Sequence, residues 1–217
     1  MRYRLAVFDL DGTVLDTLED LKNAANHGLS AWGYPERTLD EVRRFVGNGI
    51  RKLIERAVPP GTGEAEINKV HESFTEFYKV HCADNTRPYS GIPELLKNLH
   101  EAGCLTAVVS NKADYGVKAL CSDYFPGLFS IAVGEREGVR KKPAPDSVNA
   151  VLKELGVNAD EAVYIGDSDV DVMTAANAHL ELIAVDWGFR SRECLVNAGA
   201  AKIVSSPEDI GKIILGE

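Results

Sequence analysis

Short apolar runs that stop at Asp or Ser alternate with helix-period stretches over most of this chain. No other feature restricts the fold as much. Leu5-Ala6-Val7-Phe8 runs into Asp9, Thr106-Ala107-Val108-Val109 into Ser110, Ala162-Val163-Tyr164-Ile165 into Gly166-Asp167, and Leu182-Ile183-Ala184-Val185 into Asp186. Four apolar residues in a row suit strands buried on both faces of a parallel sheet. Lys202 to Ser205 is a fifth, weaker candidate. Between the runs lie helical patterns with sensible ends: Ile92 to Ala102 before Gly103, Asp146 to Leu155 before Gly156, and Pro207 to Leu215. Strand, helix and strand at this spacing predict right-handed crossovers and an α/β fold, a doubly wound parallel sheet with a Rossmann-like arrangement.

The rhythm breaks between Asp16 and Cys82. There the patterns are helical only: Thr17 to Trp32, Thr38 to Ala57, and Gly63 to about His81. Thr38-Leu39-Asp40-Glu41 forms a capping box, and Gly33-Tyr34-Pro35 and Pro59-Pro60-Gly61 separate the helices as turns. About 65 residues without a strand is long for a crossover between neighbouring strands. The expected organisation is therefore an α/β core from residues 1–15 and 83–217, with a helical domain of residues 16–82 inserted after the first strand.

Composition excludes several classes. Asp and Glu number 33 against 24 Lys and Arg, a formal net charge of −9. Binding to nucleic-acid phosphates rests on clustered basic residues, so nucleic acid is not an expected partner. The apolar runs are far too short to span a bilayer, and the first residues turn acidic too soon for a secretory signal, so a cytoplasmic location is expected and no membrane partner. Cys82, Cys104, Cys121 and Cys194 are widely spaced and match neither a zinc site nor a disulfide framework. The histidines show no metal-ligand spacing. Oligomeric state is not legible.

The acids at the strand ends carry the chemistry. The first strand ends in Asp9-Leu10-Asp11-Gly12-Thr13, and another ends in Gly166-Asp167-Ser168-Asp169-Val170-Asp171. Ligands bind at the carboxyl edge of a parallel sheet, so both clusters arrive at the functional edge. Gly12 lets the chain turn at once after the first pair. Asp167 and Asp171 are four residues apart and are expected to share one face of the following helix. Converging carboxylates repel one another unless some protonate or a cation joins them. An all-oxygen site with room for phosphate oxygens suits Mg²⁺. Ser110-Asn111 offers a hydroxyl, an amide and the N–H groups of a starting helix to an anion. Lys142, in Arg140-Lys141-Lys142-Pro143, adds a cation in a loop stiffened by proline.

These four elements, in this order, resemble the motifs of the haloacid dehalogenase superfamily: Asp9-x-Asp11-Gly12-Thr13, then Ser110, then Lys142, then Gly166-Asp167-x-x-x-Asp171. The resemblance covers the whole chain. Within the superfamily it is most similar to the phosphoglycolate phosphatases, through Phe8 to Thr17, the segment Val42-Arg43-Arg44-Phe45-Val46-Gly47-Asn48-Gly49, and Asp186-Trp187-Gly188-Phe189-Arg190. Asn177-Ala178 departs from the Ala-Gly often found after the fourth motif.

The resemblance implies a Mg²⁺-dependent phosphatase of small phosphorylated metabolites, with a helical cap that reads the leaving group. It implies Asp9 as the nucleophile that forms an aspartyl-phosphate and Asp11 as the general acid and base. It implies Mg²⁺ on Asp9, the Asp11 carbonyl and Asp167, with Ser110, Asn111 and Lys142 on the phosphoryl oxygens. Gly12, Thr13 and Asp171 would support them, and Arg43, Arg44, Asn48 and Arg51 are the cap candidates for a substrate carboxylate. An acid at position 11 excludes a dehalogenase, whose halide leaving group needs no proton. A phosphonate hydrolase would need a cap lysine, for which Lys22 and Lys52 are weak candidates. A β-phosphoglucomutase-like mutase and an inorganic pyrophosphatase share the core motifs. A phospho-receiver module, from a different class, places its acceptor on a middle strand and lacks the insertion.

Overall fold

The structure, a computed structural model, describes residues 1–216. The chain divides into two compact units, Met1–Leu15 with Pro88–Glu217, and Asp16–Arg87. In chain order the elements are β1 (Leu5–Phe8), β2 (Leu15–Asp16), α1 (Leu18–Ala31), α2 (Leu39–Phe45), α3 (Ile50–Ala57), α4 (Glu64–His81) and β3 (Arg87–Pro88). They continue with α5 (Ile92–Glu101), β4 (Leu105–Ala113), α6 (Asp114–Tyr124), β5 (Ile131–Glu135), α7 (Asp146–Leu155) and β6 (Ala162–Gly166). The last are α8 (Asp169–Asn177), β7 (Glu181–Val185), α9 (Arg192–Asn197), β8 (Ile203–Val204) and α10 (Pro207–Leu215).

In the first unit, six strands form one sheet in the order β5-β4-β1-β6-β7-β8, paired in parallel throughout. All four residues of β1 are buried because both of its edges are paired. Leu5 to Phe8 align with Leu105 to Val108 on one side and with Ala162 to Ile165 on the other. Leu5, Val7, Ala107, Val109 and Tyr164 point to one face and pack with Val148, Val151 and Ala175 from the covering helices. Each fully buried apolar side chain of this size contributes roughly 1.5–3 kcal/mol. This register brings the far halves of β4, β1 and β6 side by side; Asp9 follows β1, Asp167 follows β6, and Ser110 lies within β4.

Two expectations need correction here. β4 runs on to Ala113 with a register shift between Val109 and Ala113, so Ser110 and Asn111 lie in irregular strand, and the next helix starts only at Asp114. Asp167 precedes α8 instead of lying on it; Ser168 is the cap and Asp171 is in the first turn. The edge strand β5 gave no usable signal in the sequence, since only part of it is buried.

In the second unit α1 packs on α4 at Gly28, where an added Cβ would lie 2.8 Å from the Val70 carbonyl oxygen. The helix expected from Thr38 to Ala57 is two helices, because Gly47 and Gly49 take φ of 120° and 85° and interrupt it. The capping box at Thr38 is present: Glu41 N donates to Thr38 Oγ1 at 3.3 Å and Thr38 N donates to Glu41 Oε2 at 2.8 Å. Residues 83–87 cluster with this unit and not with the sheet. Asp20 explains why: its buried carboxylate accepts from Asn85 N at 3.0 Å and from Thr86 N and Thr86 Oγ1 at 2.8 Å. No helix among the described residues is long and apolar enough to cross a membrane.

Candidate active site

Asp9 directly follows β1, and its N–H still donates to the Ile165 carbonyl of β6 at 2.9 Å. Its carboxylate is anchored locally by Leu10 N, which donates to Oδ1 at 2.7 Å. The same Oδ1 lies 2.9 Å from Lys142 Nζ. Lys142 also reaches Asp171 Oδ1 at 2.8 Å and donates to the Tyr164 hydroxyl at 3.0 Å. The lysine is thus buried with three oxygen partners, which a buried ammonium requires. Burial opposes its charge, yet Asp171 and Asp9 hold its pKa well above the usual lysine range.

Two further contacts fix the loop that carries Lys142. Lys142 N donates to Asn111 Oδ1 at 2.8 Å, and Asn111 Nδ2 donates to the Lys142 carbonyl at 3.0 Å. The Asn111 side chain, expected to face an anion, is therefore committed to backbone. Ser110 Oγ is buried at the same strand end and accepts from Lys112 N at 3.3 Å.

The second acidic group comes from the end of β6. Asp167 is 1% exposed; Thr13 Oγ1 donates to its Oδ1 at 2.9 Å and Phe189 N to its Oδ2 at 2.7 Å. Gly12 has φ of 86°, and a side chain there would collide with the Asp167 carboxylate. Gly188 is equally constrained, since an added Cβ would strike Asp167 and the Gly12 carbonyl. Asp171 is fully buried, and its Oδ2 accepts from Ser168 N at 3.1 Å and Ser168 Oγ at 2.6 Å.

Oxygens of Asp9, Asp167 and Asp171 all lie within 4.8 Å of one another. Burial raises the Asp9 carboxyl to about 7, with Lys142 pulling it down and Asp171 pushing it up. Burial and the neighbouring carboxylates raise Asp167 to about 8. Lys142 alone does not balance three buried acids, and a divalent cation would. Hard oxygen donors and a charge deficit of this sign fit Mg²⁺, with Asp9 and Asp167 as the carboxylates that would hold it, while Asp171 is tied to Lys142 and Ser168.

Sequence reasoning passed over Lys112 and Tyr164. Lys112 is 5% exposed, and its Nζ lies 3.0 Å from Asp11 Oδ1. The available signal was a lysine placed straight after Ser110-Asn111, at the end of a buried strand. Tyr164 sat inside an apolar run and read as core; its ring does pack there, while its hydroxyl meets Lys142 and Asp171.

The insertion candidates are spread over α2 and α3. Arg43 pairs with Asp40 at 2.8 Å, and Asn48 Oδ1 accepts from Arg56 at 2.8 Å. Arg51 is held by Glu55 at 3.0 Å and by Glu64 and Asn68. Arg44 is exposed and makes no ion pair among the described residues. A polar cavity of about 600 Å³ in the same unit is lined by other residues, including Lys22, Asn26, His27 and Arg37.

An Asp-x-Asp pair just after a central parallel strand, a buried lysine and a second acidic pair after the adjoining strand fit a phosphohydrolase site on an α/β sheet. The chain belongs to the haloacid dehalogenase-like hydrolase family, which matches residues 6–185. It is 35% identical over 198 residues to a phosphoglycolate phosphatase of Mesorhizobium japonicum, covering 87% of this chain and 85% of the relative. An N-acetylmuramic acid 6-phosphate phosphatase of Pseudomonas aeruginosa is 29% identical over 97% of this chain and 94% of its own length. A crystal structure from Lactobacillus delbrueckii subsp. bulgaricus, provisionally assigned as a phosphoglycolate phosphatase, superposes with a TM-score of 0.95 at 39% identity over the whole of both chains. The protein is a phosphatase, a phosphoric monoester hydrolase.

Proposed function

We propose that this phosphatase hydrolyses 2-phosphoglycolate through an aspartyl-phosphate on Asp9, with Mg²⁺ as cofactor. The observation that carries the mechanism is the position of Asp9. Its carboxylate lies against Lys142 on one side and within reach of Asp167 on the other, so a phosphoryl group in front of it meets both cationic positions.

In the first step an Asp9 carboxylate oxygen attacks phosphorus, the ester P–O bond breaks, and the departing alkoxide takes a proton from Asp11. In the second step Asp11 accepts a proton from water, whose oxygen attacks the phosphorus of the acyl phosphate and releases the Asp9 carboxylate and inorganic phosphate. Lys142 and the Ser110 hydroxyl offset charge on the equatorial oxygens in both steps. Asn111 keeps Lys142 in place, and Asp171 fixes the direction of its ammonium. Asp9, the Asp11 carbonyl and Asp167 would hold Mg²⁺, which when bound shields the nucleophile from the negative phosphoryl oxygens.

The inserted helices act as a cap that selects the alcohol, with Arg43, Arg44, Asn48 and Arg51 as the residues to substitute first. The phosphoglycolate substrate is supported by the relatives that carry that name. Measurement of kcat/KM over a panel of phosphoglycolate, hexose 6-phosphates, β-glucose 1-phosphate and pyrophosphate tests it. Phosphoglycolate is expected to rank first; a rank far below the others removes this substrate and leaves the phosphatase chemistry.

A further inference from the structure

The ammonium of Lys142 carries three protons and meets three oxygens: Asp171 Oδ1 at 2.8 Å, Asp9 Oδ1 at 2.9 Å and the Tyr164 hydroxyl at 3.0 Å. Two of these partners are acids fixed by neighbours of their own, Asp171 by Ser168 and Asp9 by Leu10 N. The third is neutral and comes from inside the sheet. Tyr164 lies on β6 opposite Val7 of β1, and its hydroxyl reaches past β1 to within 3.3 Å of the Val109 carbonyl oxygen on β4. The same hydroxyl is 3.2 Å from Asp171 Oδ1. Its ring is fully buried among the apolar side chains on one face of the sheet. The ring centroid is 5.7 Å from the ammonium, so the close contact runs through the oxygen.

A phenol hydroxyl donates one proton and still accepts. Here the proton goes to Val109 or Asp171, which leaves the oxygen to accept from Lys142. An ammonium with two of its three protons anchored has one direction left for the third, and at Lys142 that direction is the Asp9 oxygen. With Asp171 as the sole anchor the ammonium is free to turn about that one contact. In the mechanism proposed above, a phosphoryl oxygen receives the third proton once Asp9 has attacked, so its aim counts most in the transition state. Tyr164 needs no contact with substrate to exert this effect.

We infer that Tyr164 is a positioning residue: its hydroxyl, together with Asp171, anchors Lys142 from inside the sheet so that the third proton of the ammonium points at the nucleophile and then at the phosphoryl group. This deepens the proposed phosphatase mechanism and rests on its assignment of Asp9 and Lys142.

The test measures kcat, KM and inhibition by vanadate, a five-coordinate mimic of the phosphoryl group in transfer, for wild-type protein, Tyr164→Phe and Tyr164→Met. All are assayed with Mg²⁺ on the best ester of the panel above. Both substitutions drop the oxygen and keep an apolar side chain in the core, and the second serves should the first fail to fold. KM and the vanadate constant do not depend on the active fraction, so partial misfolding moves neither. Both variants are expected to lose about 10-fold in kcat and about 10-fold in vanadate affinity, with KM within about 2-fold of wild type. A kcat within about 2-fold of wild type overturns the inference. So does a fall in kcat with vanadate affinity unchanged, which reduces Tyr164 to packing; the Lys142 mechanism then stands. Vanadate that inhibits wild type no more tightly than inorganic phosphate overturns the phosphoryl-transfer reading of the site, and the inference with it.

Discussion

Asn111 grips the backbone of Lys142 from both sides, with Oδ1 accepting from its N–H at 2.8 Å and Nδ2 donating to its carbonyl at 3.0 Å. A carboxamide that satisfies both the N–H and the carbonyl of one residue acts as a piece of sheet between the end of β4 and the loop that carries Lys142. Removing it leaves two buried backbone groups unpaired, each costing roughly 1–3 kcal/mol. Asn111→Ala is therefore expected to lower kcat by about 10-fold to 100-fold through a displaced Lys142. Steady-state kinetics beside a thermal melt check this; an unchanged kcat contradicts it.

Asp9→Asn keeps the shape of the side chain and removes the attacking oxygen's charge. Turnover of any phosphate ester is expected to fall by on the order of 10⁴ or more. Appreciable residual activity in a preparation free of wild-type enzyme would remove Asp9 as nucleophile.

The acid cluster ties metal binding to pH. Asp9 and Asp167 rise from an ordinary 3.8 to about 7 and about 8 in the folded protein, both through burial first. Between pH 4 and 8 the folded metal-free chain therefore holds more protons than the unfolded chain, and its stability falls as pH rises through that window. Carboxylates held low by ion pairs, such as Glu55 and Glu161, are ionised throughout the upper part of the window and add no slope there. Mg²⁺ bound there as proposed would replace those protons, so the rise in Tm on adding it is expected to be larger at pH 8 than at pH 5. Asp167→Asn is expected to flatten the difference. Equal shifts at the two pH values in wild type contradict this account.

Gly188 leaves no room for a methyl group beside Asp167. Gly188→Ala is expected to push the carboxylate off Phe189 N, weakening Mg²⁺ affinity and lowering kcat together, with overpacking costing roughly 1–3 kcal/mol of stability. Calorimetric titration of Mg²⁺ into the variant checks the first effect independently of turnover.

Gly28 holds α1 against α4, where a Cβ would stand 2.8 Å from the Val70 carbonyl oxygen. Gly28→Ala gains helix propensity of about 1 kcal/mol but forces the helices apart. A lower Tm is expected, and a higher one would show that the helices shift freely.

Much of the sheet, and the acids gathered at its edge, was legible because buried parallel strands write themselves as apolar runs that end at the site. Leu5 to Phe8 and Ala162 to Ile165 did so, with their acids attached. Gly47 and Gly49 were visible as residues, but the helical pattern on either side of them hid the break. β5 stayed hidden since an edge strand needs fewer apolar residues. Lys112 and Tyr164 were missed for opposite reasons. A lysine usually marks surface and a tyrosine in an apolar run usually marks core, and here the two side chains come from the strands on either side of β1 and carry their polar ends to buried partners, Asp11 for Lys112 and Lys142 with Asp171 for Tyr164. Asn111 was identified as a residue, while its hold on the Lys142 backbone was not foreseen, because a side-chain clamp on a distant backbone leaves no trace in spacing.

The place of β1 between β4 and β6 has a consequence for how this enzyme fails. A strand bonded along both edges releases its amide protons only when the whole sheet opens, whereas helix ends and edge strands exchange by local fraying. Asp9 hangs from that strand. The proposed nucleophile is therefore tied to backbone that opens only with the sheet, and heat is expected to abolish activity and the sheet in one cooperative event, which circular dichroism and residual activity followed over the same temperature ramp check.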